Sequence, residues 1–171
     1  SVTAGGDSND SDSEYAAVLG GQGNKANAAH ASVGGGEGNV IDDLGGNKPD
    51  HSNIGGGFQN NIFDQSTHYV GVDSAGEPCT HSVISGGQGN NIVGASTHSA
   101  VGGGNSNSVS SHSSTISGGS NNSISSYSDN SAVVGGDACT ITGALGKVST
   151  GSFIGSGTGS TITNSINSSI V

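Results

Sequence analysis

Histidine is the residue type whose spacing in this chain most suggests chemistry. With the second glycine of each Gly-Gly pair as position zero, His30, His51, His81 and His98 all fall at position −6, and Tyr15 falls there one unit earlier. The interval of 30 residues between Gly57 and Gly87 is twice the shortest one, which predicts a hidden unit near Ser74 with His68 at its −6. Five of the six histidines then form one column. Imidazoles about 5 Å apart could act together as a pH switch, or in pairs hold a divalent transition metal. The plainer alternative is a stacked ring ladder that covers a corner or lines a subunit interface. Apart from such a metal, no cofactor is expected.

Other reactive groups are less ordered. Asp7, Asp10, Asp12 and Glu14, then Asp42 and Asp43, offer oxygen ligands for calcium, but without EF-hand spacing they read as a solvated acidic end. The G-G-x-G-N runs at Gly20, Gly35 and Gly86 do not have the nine-residue period or the aspartates of calcium-binding rolls. No phosphate-binding loop is present. Cys79 would sit at +5 of the hidden unit and Cys139 at +3 of a unit four steps later, too far apart for a disulfide. Two separate inward thiols are expected. Ser, His and Asp are abundant, yet no motif fixes a catalytic triad and no carboxylate pair marks a glycan-degrading site, so the chain reads as non-enzymatic.

The elements that must position these groups follow from composition. Of 171 residues, 33 are Gly, and Gly, Ser and Asn together make up about half the chain, with only 9% charged. These residues disfavour helix, and the few large apolar residues cannot fill a broad layered core. Low hydrophobicity and a net charge of −10 would fit disorder, but Val and Ile recur too regularly for that. Three Lys+Arg cannot neutralise a nucleic acid or an anionic membrane, and no apolar run is long enough to span a bilayer.

The repeat is V-x-G-G-x-x-N-x-I. The anchors at 6, 21, 36, 57, 87, 104, 119, 136 and 157 lie 15, 15, 21, 30, 17, 15, 17 and 21 residues apart. Position −3 holds Val18, Val33, Ile54, Ile84, Val101, Ile116, Val133 and Ile154. Position +5 holds Ile41, Ile62, Ile92, Val109, Ile124, Ile141 and Ile162, and position +3 holds Asn24, Asn39, Asn60, Asn90, Asn107 and Asn122. Ser recurs at −5: Ser1, Ser52, Ser82, Ser99, Ser114, Ser131 and Ser152. Residues i and i+2 of a strand share a face, so each unit predicts two short strands with Ser, Val/Ile and Asn turned inward. The prediction is an all-β, parallel β-solenoid of about ten coils forming one domain over 1–171. Its inserts fall near 42–51, 66–81 and 143–150. The first unit, Thr3 to Ser11, is degenerate, and Ser168–Val171 look like the opening of another.

These residues, most clearly Ser82–Ile92, Ser99–Val109 and Ser114–Ile124, resemble the head repeats of trimeric autotransporter adhesins of the YadA-like type, and the related GGxxN repeats of bacterial and phage fibre proteins. The resemblance covers nearly the whole chain. It implies a left-handed β-roll, a homotrimer, an extracellular location on a cell surface, fibre or virion appendage, and a role in adhesion to a glycan or protein receptor. The coiled-coil stalk heptads, neck and membrane anchor of a complete adhesin are not visible in this chain, so trimerisation and anchoring rest on the resemblance.

The outward positions fit association. Positions −4 and −2 carry small or apolar residues such as Val2, Ala17, Val83, Ala100, Ala132 and Phe153, which predicts a face buried between subunits. Positions +4 and +6 carry Asp10, Asp12, Lys25, Asn27, Asn61, Ser108, Ser110, Thr140, Thr142, Thr161 and Thr163, which predicts a solvated face. Two alternatives stand beside a structural or adhesive module. One is a filament subunit polymerising end to end through open solenoid ends. The other is an ice-binding solenoid, suggested by the T-x-T pairs Thr140/Thr142 and Thr161/Thr163.

Overall fold

The computed structural model describes residues 1–43, 49–64, 79–94 and 96–171, excluding the side chains of Asp43 and Asp64. It is a parallel β-solenoid with two strands per coil and no helix among the described residues. One sheet has ten strands: Val2–Thr3, Ala17–Val18, Ser32–Val33, Asn53–Ile54, Val83–Ile84, Ala100–Val101, Thr115–Ile116, Ala132–Val133, Phe153–Ile154 and Ser169–Ile170. The other has eight: Lys25–Ala26, Val40–Asp43, Asn61–Asp64, Asn91–Val93, Ser108–Val109, Ser123–Ile124, Thr140–Thr142 and Thr161–Thr163. Every pairing within them is parallel, each coil stacking on the next.

Strands this short have little stability alone and hold because neighbours repeat the same residue. Val101 pairs with Ile116, and Ile116 with Val133, so the −3 aliphatics stand in one vertical file. Ile92, Val109, Ile124 and Ile141 make the facing file from the second sheet, and every member of both is fully buried. Around 0.8 kcal/mol per buried methylene, repeated at each rung, is the main stabilising term.

Among the described residues the buried polar side chains, Ser128 Oγ excepted, are satisfied along the stack. Asn39 donates its Nδ2 to Asn24 Oδ1 (3.1 Å), to Gly35 O (2.8 Å) and to Gly57 O of the next coil (2.9 Å), and its backbone N–H also donates to Asn24 Oδ1 (3.0 Å). The same pattern runs from Asn9 to Asn107. Beside it, Ser52, Ser82, Ser99, Ser114 and Ser131 at −5 each accept a backbone N–H and donate to a carbonyl of the next coil. Ser99 Oγ, for example, accepts from Ser114 N (3.2 Å) and donates to Ser111 O (2.7 Å).

The amide ladder stops at Cys139, whose N–H still donates to Asn122 Oδ1 (2.9 Å) but whose thiol sulfur lies 3.3 Å from Gly157 O. Cys139→Asn is expected to extend the ladder by one rung and stabilise the chain by about 1 kcal/mol. Thermal unfolding checks this: the midpoint should rise by roughly 2–4 °C.

Three sequence expectations need correction. First, no coil lies between those of Gly57 and Gly87. Asn53 pairs directly with Val83, Ile54 with Ile84 and Ile62 with Ile92, so the stack has about nine turns. Ser74 and His68 lie outside the described residues. Second, Cys79 is not at +5 of a hidden unit but at −8 of the coil anchored by Gly87, three coils from Cys139. Both cysteines are buried, and no disulfide joins them.

Third, the inserts have different bounds and a common point of entry. In 15-residue coils position +6 is followed at once by −8 of the next coil, as Ser110 is by Ser111. The register makes 43–48, 64–78, 94–95, 126–127 and 143–148 the extra residues, all entering at that one point. Asp42, Pro49–His51, Cys79–His81, Ser149 and Thr150 therefore belong to the coils. A column of small residues at −8 (Ser13, Ala28, Pro49, Cys79, Ser96, Ser111, Ser128 and Ser149, all buried) opens these coils, whether or not an insert precedes them.

Candidate functional site

The edge of the rod where inserts enter also carries the rings. Each −6 residue has a left-handed backbone: Tyr15 (φ 55°), His30 (56°), His51 (59°), His81 (57°) and His98 (59°). Its N–H donates to the −7 carbonyl of the preceding coil: His30 to Glu14 O (2.9 Å), His51 to Ala29 O (2.9 Å), His81 to Asp50 O (3.1 Å), His98 to Thr80 O (3.0 Å). This corner ladder sets successive Cα atoms one rung apart, and the rings follow.

Tyr15 and His30 have ring centroids 4.9 Å apart. The histidine pairs that follow, His30–His51, His51–His81 and His81–His98, are spaced 4.6, 5.0 and 5.0 Å with interplanar angles of 4°, 1° and 7°. The column thus runs unbroken from Tyr15 to His98 through four of the five expected histidines, with His51 directly against His81. All five rings are exposed. Ser113, Asn130, Gly151 and Asn167 continue the corner with the same positive φ and no ring.

Parallel rings at this spacing point their nitrogens side by side and do not converge on one ion, which needs Zn–N distances of about 2.0–2.1 Å from each. Among the described residues no group of three or more His, Cys, Asp or Glu could hold a metal. The ring-ladder alternative describes this geometry better than the metal site does.

The left-handed corner makes one further prediction. His81→Val places a β-branched residue at φ 57° and is expected to cost about 1–2 kcal/mol, whereas His81→Asn should be nearly neutral. Urea unfolding of the two variants separates backbone fit from ring stacking: equal losses would assign the column's value to the rings.

Sequence reasoning missed the residues that extend this edge past His98. Tyr127 lies in the two-residue insert. Leu145 is 65% exposed at the tip of a hairpin closed by mutual Ala144–Lys147 backbone bonds (2.6 and 2.7 Å), and Ile166 is 61% exposed at −7 of the last coil. Their common position becomes visible only once the register fixes where every insert begins.

The acidic groups at the N-terminal end do not gather into a site. Asp42 is drawn into a ladder instead, accepting from Lys25 Nζ (2.6 Å) and Asn27 Nδ2 (2.8 Å). The hydrogen bond to Asp42, with added attraction from Asp42, Asp10 and Asp12, raises the Lys25 pKa above its ordinary 10.5 against a smaller desolvation effect. Its stabilising contribution is therefore fully present at neutral pH and is lost only as pH rises through that raised value. With Lys25 about one-third exposed, it is small.

The two outward sheet faces differ. On the ten-stranded sheet Val2, Leu19, Val83, Val134 and Phe153 are exposed between Ala and Gly positions. On the eight-stranded sheet the last four rungs are paired hydroxyls: Ser108/Ser110, Ser123/Ser125, Thr140/Thr142 and Thr161/Thr163, in lateral register. No protein-family model matches this sequence, and no curated protein matches it.

Proposed function

We propose that this chain is a non-enzymatic structural and adhesive module of an extracellular fibre or surface adhesin. The observation that carries this reading is the separation of parts: a repeating stacked core, with every insert entering at one corner and a continuous ring column beside that corner. Repeat scaffolds commonly send their insertions to one face and bind there. The four imidazoles of the column are distributed one per rung and exposed, an arrangement that suits contact with an extended partner more than bond-breaking at a point. The exposed Val, Leu, Ala and Phe of the ten-stranded sheet support self-association, as a homotrimer on the resemblance to adhesin heads.

Two measurements test the proposal. Light scattering should give a mass of three chains of 16.3 kDa, independent of concentration. Ala100→Lys with Ala132→Lys should reduce it to one. A mass that grows with concentration would favour the end-to-end filament. Beads coated with the chain should adhere to cells or matrix, and His51→Ser with His81→Ser should weaken adhesion. Adhesion unchanged by edge substitutions would contradict the assignment of the binding edge.

A further inference from the structure

We propose that the outer face of the eight-stranded sheet, over its last four rungs, binds the surface of ice. This goes beyond the adhesive reading and uses neither the ring-bearing edge nor the ten-stranded sheet. Thr140 lies beside Thr161 and Thr142 beside Thr163, with the paired serines continuing both files. Hydroxyls therefore recur about 4.8 Å apart across the strands and roughly 6.7 Å apart along them. A crystal face of ice likewise repeats its oxygens in two directions at separations of this order.

Three observations favour a water lattice as the occupant. The hydroxyls of Ser108, Ser123, Thr140, Thr142 and Thr163 make no hydrogen bond among the described residues, so each remains free to donate to and accept from water. The face rests on Val109, Ile124 and Ile141, all 0% exposed, and Ile162, 5% exposed, and such a packed base holds the hydroxyls in fixed positions. Charge matches as well. Residues 96–171 contain only Asp129, Asp137 and Lys147 as charged side chains, none of them on these rungs, so the surface suits a neutral ligand. A glycan site would offer rings to stack on and amides or carboxylates to grip hydroxyls, and these rungs have neither.

The test is thermal hysteresis and ice-crystal shaping by the full chain, with circular dichroism confirming the fold. The chain is expected to arrest crystal growth below the melting point, Thr140→Lys to abolish that arrest, and Asn105→Lys, exposed just after the Gly-Gly corner and on neither sheet, to retain it. Thr163→Lys, on the exposed last rung, serves if Thr140→Lys does not fold. Absence of hysteresis from the folded chain would overturn the proposal, as would equal loss in the Asn105 and Thr140 variants. Retention on insoluble chitin or cellulose without hysteresis would also overturn it and assign the face to a glycan. None of these outcomes bears on oligomeric mass or cell adhesion, so the adhesive reading is tested separately.

Discussion

Gly119→Ala is expected to cost at least about 4 kcal/mol or to prevent folding, while the adjacent Gly118→Ala should change stability by less than about 0.5 kcal/mol. The two glycines look alike in the sequence. In the structure Gly119 has φ +93°, and a Cβ there would overlap the carbonyl oxygen of Gly136 in the next coil. It would also lie 2.5 Å from Asn122 Nδ2 and 2.9 Å from Gly136 N. Neither backbone group can withdraw, because each is part of the next rung. At Gly118 nothing lies within 4 Å of an added Cβ, and the backbone is not left-handed. For a chain of this size the expected loss at Gly119 lowers the thermal midpoint by roughly 8 °C or more. Equal shifts for the two variants would show that the coils are not in the close backbone contact described here.

The second large effect is expected at Asn90. Its side chain donates to Asn60 Oδ1 (3.1 Å), Gly86 O (3.0 Å) and Gly104 O (3.1 Å). Its Oδ1 accepts from Asn107 N (3.0 Å) and Asn107 Nδ2 (3.2 Å). Asn90→Leu keeps the volume but leaves Gly86 O and Asn107 N without partners in a place water does not reach, and takes one bond each from Asn60 Oδ1, Gly104 O and Asn107 Nδ2, which keep others. At about 1–3 kcal/mol for each orphaned group and about 0.5–1.5 kcal/mol for each further bond lost, a loss of about 4 kcal/mol follows even with partial relaxation. Asn91→Ser, one residue along on the half-buried outer face, should cost less than about 1 kcal/mol. Chemical unfolding of both variants tests the contrast, and similar midpoints would deny the interior amide ladder its structural role.

Much of this arrangement could be read from the sequence because a stack repeats its residues wherever it repeats its environment. The Gly-Gly corner, the Val/Ile positions, the Asn ladder and the histidine column all recur at fixed offsets, and the structure places them in vertical files. The interval between Gly57 and Gly87 misled because 30 is twice 15 and because His68, Ser74 and Cys79 match the register in a chain rich in such residues.

A physical signal against the extra coil was present. Pro78 would occupy +4, where Lys25, Asn61 and Asn91 each donate a backbone N–H to the next coil, and proline has none to give. The −8 column was harder to see, since Ala, Ser, Cys and Pro share only small size. The hydroxyl rungs of Ser108 and Ser123 were also legible only in part, because T-x-T attracts notice and S-x-S in a serine-rich chain does not.

One experiment separates the uninterrupted stack from its alternative. With Cys79 and Cys139 replaced by Ala and Ser, Asn53→Cys and Val83→Cys place two outward thiols on strands that are direct neighbours. At about 4.8 Å between paired strands, a disulfide should form readily under mild oxidation and leave the fold intact. A coil intervening near Ser74 would hold the same positions roughly 9–10 Å apart, beyond disulfide reach. Failure of the folded double-cysteine chain to cross-link would contradict the stack, and with it the entry of every insert at one corner.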